Sequence, residues 1–365
     1  MTPTKLLTSA IALSFAFAAQ TSADTSADLT TFAEVSDTRP GNITVTPDNR
    51  VIITQQPLDG PTLRVVEVLE DGKKVPFPTQ DWADGPETGE VGIAGSIGIK
   101  SDANGIVWIL DMGGADSAPK LVGWDTQADA LHKIIDIPSD VVTPISFLQD
   151  FALDEERGQI YIADMTFTAP ASDLKPAFIV IDIETGAARR VLEATKRFMP
   201  SDEDVVIDGN LVGFKDADGN ATPWHLSMNA ISIDPAFENV YFGTMNGRDI
   251  WSIPAAALAD ASQDDTALAA QITRYAEKGP NDGFIIDGEG RVFSGDVTRN
   301  AVTVSTPDSF KVFAQDDTLL RWADGFAFAP DGTLYIVANQ LHTHPALNMG
   351  TDGSDHAYVI LTTQP

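Results

Sequence analysis

The chain has 365 residues, 43% of them hydrophobic and 8% aromatic, enough apolar material for a folded core and too much for an intrinsically disordered chain. With 23 basic against 53 acidic residues and a formal net charge of −30, it repels nucleic acid and anionic membrane surfaces, so neither is an expected partner. It contains no cysteine, which excludes disulfides and thiolate chemistry.

The first segment carries one positive charge, Lys5, then the apolar stretch LLTSAIALSFAFAA and small residues. This is the pattern of a secretory signal peptide, expected over residues 1–23, with small-residue cleavage points after Ala18 and Ala23. No later run is long and apolar enough to span a membrane. The mature chain, 24–365, is expected to be exported to the periplasm or the medium, without membrane insertion, as one monomeric domain.

From Thr31 onward the chain repeats one phrase: a short apolar strand, a turn rich in Asp, Gly or Asn, a second apolar strand, then further strands. The inner phrases are GNITVTPDNRVIITQQ from Gly41, GSIGIKSDANGIVWILDM from Gly95, QDFALDEERGQIYIADM from Gln149, MNAISIDPAFENVYFGTM from Met228, NDGFIIDGEGRVFSGDV from Asn281 and ADGFAFAPDGTLYIVAN from Ala323. Val, Ile, Phe and Tyr at strand-like lengths, punctuated by residues that tolerate positive φ, predict β-hairpins. Near Ala256, AAALADASQDD predicts a short helix or turn.

Six such units predict an all-β fold, a six-bladed β-propeller, because a sheet of a few strands cannot bury both faces until it packs radially against neighbours. A β-sandwich is the alternative and explains the repetition less well. The ring closes if TFAEV, from Thr31, pairs beside the C-terminal AYVILTT, which removes an open edge. Two longer intervals, Lys196 to Leu226 and Gln340 to His356, read as insertions over one face.

The residue before each inner strand falls at one end of the central channel. Asp150, Asn229, Asp282 and Asp324 hold that place in four units; Asn42 and Ser96 hold it less regularly in the others. Hard oxygen donors converging there suit a divalent cation, calcium before others, which can polarise a carbonyl or activate water. Asp and Asn at strand starts also cap backbone amides. His225 is the lone general-base candidate and, with Asp324, the expected catalytic pair of an enzyme. Phe147, Trp224 and Trp322 are expected to wall a ligand pocket with Asp150, Asn229 and Asp282. Glu34 and Glu90 are further possible oxygen donors, and His342 and His344 lie two apart in a loop. A phosphate loop and a G-x-S-x-G elbow are both absent from the sequence.

In the segments FLQDFALDEERGQIYIADM, NAISIDPAFENVYFGTMNGRDIWSIPAAAL and WADGFAFAPDGTLYIVANQLH the chain resembles the Yellow and major royal jelly protein family. The resemblance implies a secreted six-bladed propeller. It also implies family functions such as dopachrome conversion or small-amine binding at the channel mouth, here bordered by Phe147, Asp150, Asn229, Asp282 and Asp324. Insect members carry disulfides that this chain lacks, which places it in a bacterial branch. A fainter resemblance, at Asp282-Gly283, Asp324-Gly325 and Asn229, is to the gluconolactonase and senescence-marker propellers. It implies a divalent cation held by such residues, although RPGNITV stands where that family has an acidic opening.

The expected function is recognition of a small polar or aromatic metabolite at the channel mouth, with a divalent cation. The alternatives are a metal-dependent lactonase-like hydrolase or catechol-derivative isomerase, and a protein-binding scaffold.

Overall fold

The computed structural model describes residues 27–86 and 91–365; the expected signal segment and Glu90 lie outside them. The described chain forms six four-stranded antiparallel sheets and two small two-stranded ribbons. Each sheet is one blade, and consecutive blades pack side by side around an axis. Their inner strands are Pro40–Val45, Ser96–Ser101, Leu148–Asp154, Met228–Ile233, Phe284–Ile286 and Ala323–Phe328. These inner strands neighbour one another around the ring, first to second and on through sixth back to first.

Burial explains the sequence pattern. Pro40–Val45 is buried at every position, because one face meets the next blade and the other meets the channel. The outermost strand of blade 2, Ala130–Asp136, is mostly exposed and reads as mixed polar and apolar. Between blades 3 and 4, Phe178, Phe198 and Phe242 meet edge to face, with ring centroids 4.9–5.4 Å apart, a favourable arrangement for aromatic quadrupoles. The predicted helical stretch opens with the single-turn helix Ala255–Ala259, and a second short helix, Asp265–Ala269, begins where that stretch ends.

Thr30–Val35 pairs antiparallel with Tyr358–Thr363 and completes blade 6, so the two ends of the described chain close the ring. The open edge is thereby removed, as the sequence predicts.

The two insertions meet each other. The first carries the ribbons Val206–Ile207 with Asn210–Leu211 and Gly213–Lys215 with Ala221–Pro223. The Gly213 amide donates to the Leu347 carbonyl at 2.9 Å, and the Trp224 indole donates to the Ala346 carbonyl at 2.8 Å. Val205, Ile207, Val212, Leu341 and Leu347 pack with Trp322 into one buried cluster. The insertions therefore form a single cap, seated on the residue that precedes the inner strand of blade 6.

Candidate functional site

Regular strands alternate their side chains, so a polar residue near the start of a buried strand needs a local irregularity to face the axis. Five of the six inner strands have one. The pairing register shifts between Pro40 and Ile43, Ser96 and Ile99, Leu148 and Asp150, Met228 and Ala230, and Ala323 and Phe326. Each shift lies at the same depth in its blade and spans or adjoins the residue that enters the axial site. In blade 5, Asp282 lies two residues ahead of its strand.

One polar side chain from each blade enters the channel at this end, Asn42, Lys100, Asp150, Asn229, Asp282 and Asp324, and hydrogen bonds join them in three groups. The Asn42 amide donates to Asp150 Oδ2 at 3.0 Å, and the Lys100 ammonium reaches the same oxygen at 3.0 Å. The Asn229 amide donates to Asp282 Oδ1 at 2.5 Å, and the Trp322 indole N–H donates to Asp282 Oδ2 at 2.7 Å. Asp324 Oδ2 accepts from the Asn339 amide at 2.7 Å, and Asn339 also donates to the Pro40 carbonyl at 3.0 Å, tying blade 6 to blade 1. Asn42, Asn229, Asp282 and Asp324 are all buried, and the Asp150 side chain is 14% exposed.

The glycine of each Asp-Gly pair is a matter of close approach. A Cβ on Gly283 would fall 1.9 Å from the Asp324 carbonyl oxygen, and one on Gly325 would fall 2.9 Å from Asn42 Oδ1. Only glycine lets adjacent inner strands come this near. The acid supplies the charge and the glycine makes room for the neighbouring blade.

Burial sets the electrostatics. The carboxyls of Asp150, Asp282 and Asp324 are all raised above the ordinary carboxylate range, chiefly by desolvation. Asp324 is raised furthest from the usual value because the charges of Asp282 and Asp150 add to its burial. Lys100 opposes the shift at Asp150, and Trp322 and Asn229 oppose it at Asp282. This is the pattern of like charges sharing a low-dielectric site, in which one member favours the protonated form.

Two oxygens in the ring, Asp150 Oδ1 and Asn229 Oδ1, are buried without a hydrogen-bond partner. With Asp282 and Asp324 they are oxygen donors of the type that suits a hard divalent cation. Among the described residues, no three His, Asp or Glu side chains form a group ready to hold a metal ion. Both Asp282 oxygens bond within the protein, so a cation would be held by amide and carboxylate oxygens together.

The other sequence candidates lie as follows. Ser96 is buried, but its hydroxyl bonds the Gly98 carbonyl at 3.3 Å, and blade 2 contributes Lys100 instead. Trp322 is fully buried under the cap, with a left-handed φ of 59°; it supports Asp282 from behind. Phe147, Phe167, Trp224 and Phe214 form a continuous row of rings, with successive centroids 5.9, 4.6 and 4.2 Å apart. His225 lies in the cap and pairs with Asp204 at 2.9 Å. His342 stacks on Trp322 and is held neutral by burial, pushed down to about 4, whereas His344 binds the Ala346 amide. Glu34 is exposed on the outermost strand of blade 6, away from the axis.

The repeat pattern does not single out Lys100, a ring member, or Asn339, which holds the ring member Asp324. Lys100 had a signal: it is the one cation in the apolar inner phrase SIGIKS.

Among solved structures, the chain is similar to a gluconolactonase from Xanthomonas campestris (14% identity, 93% of this chain and 90% of that one, TM-score 0.55). It is similar to the calcium-binding protein regucalcin from Agrobacterium tumefaciens (13% identity, 92% and 96%, TM-score 0.52). A streptogramin B lyase aligns comparably (15% identity, 93% and 98%, TM-score 0.51). At these identities the likeness is one of fold. No curated protein sequence matches the chain. The model of the family described as major royal jelly protein matches residues 95–363. The chain belongs to the major royal jelly protein family.

Proposed function

We propose that this protein is an exported binder of a small polar or aromatic metabolite, which it takes at the six-residue ring with the help of a calcium-type cation. The observation that carries the reading is the pair of buried, unpartnered oxygens on Asp150 and Asn229 beside two further buried carboxylates. Buried polar atoms are ordinarily satisfied, and orphans in a ring of like charge mark a place that gains from a bound group. Asp150, Asn229, Asp282 and Asp324 would hold the cation, which would supply positive charge to a ligand's carbonyl or hydroxyl oxygen. The row Phe147–Phe167–Trp224, in which Phe167 is 40% exposed, gives an aromatic ligand a surface to stack on. The calcium-binding neighbour regucalcin supports the cation at the level of fold, and the N-terminal apolar stretch supports export.

A second reading, a lactonase-like hydrolase or an isomerase, is favoured by one observation. Burial and then the charge of Asp282 push Asp324 toward its protonated form, and a protonated carboxyl can donate to a leaving or carbonyl oxygen.

Metal analysis of the purified protein, joined to melting curves with and without a chelator, tests the cation. Replacing His225 with Ala separates the two readings: a binder keeps its ligand, whereas the enzyme with His225 as its base loses turnover. An empty ring and a chelator-insensitive melt would remove the cation from the account.

A further inference from the structure

The inner strands continue past the ring and enclose a second space toward the opposite face of the propeller. It is a cavity of about 320 Å³, with walls that include Phe151, Ile231, Phe284, Phe326 and Phe328. These residues follow the ring members Asp150, Asn229, Asp282 and Asp324 within a few positions on the same chain segments, so the cavity and the ring are successive levels of one channel. Lys100 belongs to both, for it lines the cavity and its ammonium bonds Asp150 in the ring.

We infer that this cavity is a second binding site, for an uncharged, apolar-bodied molecule with one hydrogen-bond-accepting oxygen, such as a ketone, ester or lactone, that docks its oxygen on Lys100. The volume lies at the lower end of the range for small-molecule pockets, and the walls are aromatic and aliphatic. An ammonium has three donors, and among the described residues Asp150 Oδ2 is the one side-chain acceptor bonded to Lys100, so the group has donors to offer a guest.

Charge selects against the other ligand classes. An organic anion would meet Glu155 and Asp234 in the wall and Asp150 beside the ammonium. Those two wall carboxylates are fixed by backbone amides, Glu155 by that of Ala103 at 3.0 Å and Asp234 by those of Glu238 and Asn239 at 2.9 and 2.8 Å. An organic cation seated against the deep wall would meet Lys100. A neutral carbonyl avoids both conflicts and gains a charge-assisted hydrogen bond. Lys100 is shared with the ring but is not one of the residues proposed to hold the cation, and the two ligands differ in chemistry, so either site can fail alone.

The test is a fluorescence titration of the purified protein with 6-propionyl-2-(dimethylamino)naphthalene, an uncharged aromatic ketone. Anilinonaphthalene sulfonate is the anionic comparison, and a trimethylammonium-bearing naphthalene is the cationic one. The expected result is saturable, blue-shifted binding of one ketone per chain and weaker binding of both charged probes. Lys100→Met should weaken ketone binding about tenfold, as loss of one hydrogen bond to a charged group implies, and Lys100→Arg should retain most of it. Ala327→Leu, which narrows the cavity from its wall, should also weaken binding and decides the matter if Lys100→Met does not fold. Circular dichroism melts verify that each variant is folded. Non-saturable ketone binding, equal binding by folded Lys100→Met and Ala327→Leu, or a charged probe binding as tightly as the ketone would each overturn the proposal.

Discussion

The Trp322 indole N–H donates to Asp282 Oδ2 at 2.7 Å, from a backbone held at φ 59°. A bulky residue in the left-handed region carries strain, and here the strained residue is the contact between the cap and the polar ring. Trp322→Phe keeps an aromatic body and removes the donor. We expect it to destabilise the fold by about 1–3 kcal/mol, the usual effect of leaving a buried acceptor unpaired, and to raise the Asp282 carboxyl further. Urea unfolding of the two proteins at neutral pH measures the first effect. A difference within error would mean that water replaces the indole.

Asp324 gives the pH prediction. Its folded-state carboxyl is raised well above the ordinary value, so between its unfolded and folded pKa values the native chain binds more protons than the unfolded one. This contribution therefore makes stability fall as pH rises through that window. Asp324→Asn removes the buried charge and keeps the shape. It should melt higher than the parent at pH 7 and lose this part of the pH slope, while losing cation binding: a more stable and less functional protein. Calorimetric melts between pH 4 and 8 check both.

Much of this architecture can be read from the sequence. The six inner phrases mark the inner strands because a strand buried on both faces leaves little choice but Val, Ile, Phe and Ala. Closure by the two ends is legible for the same reason. Asp150, Asn229, Asp282 and Asp324 stand out because each breaks the apolar pattern at the same point. The bulges that turn these side chains inward leave no compositional trace, since they are properties of strand pairing. Lys100 lies farther along its phrase and Asn339 at the end of a second strand, so neither fits the register of the other four. The pairing of the two insertions into a cap depends on contacts such as Gly213 with Leu347, which join segments distant in the chain.

Gly283→Ala should be strongly unfavourable. The added methyl would sit 1.9 Å from the Asp324 carbonyl oxygen, and neither backbone segment moves without displacing an Asp of the ring. Overpacking of this kind typically destabilises by about 1–3 kcal/mol. Denaturant midpoints compare it with Gly288→Ala, where the new Cβ meets nothing and little change is expected.

Lys278 is a buried ammonium four residues before Asp282, and it donates to the carbonyls of Thr244, Gly247 and Gly279 at 2.8, 2.7 and 3.1 Å. Desolvation pulls it down to about 7. Lys278→Met leaves three inward carbonyls without this donor and loosens the segment that carries Asp282. A loss of about 2–5 kcal/mol follows from several unsatisfied buried acceptors. Because the folded amine titrates below its unfolded value, its contribution makes stability rise from about pH 7 toward pH 10. The Met variant should lack that rise when melts are compared across the window.

The proposed hard-cation site, with Asp150, Asn229, Asp282 and Asp324 as its ligands, requires that the metal-free protein bind calcium. Calorimetric titration of calcium into metal-free protein tests it most directly, with Asp282→Asn measured alongside. The parent should show one saturable site, and the variant should bind at least tenfold more weakly. Absence of binding heat in the parent, or equal binding by both proteins, would contradict it.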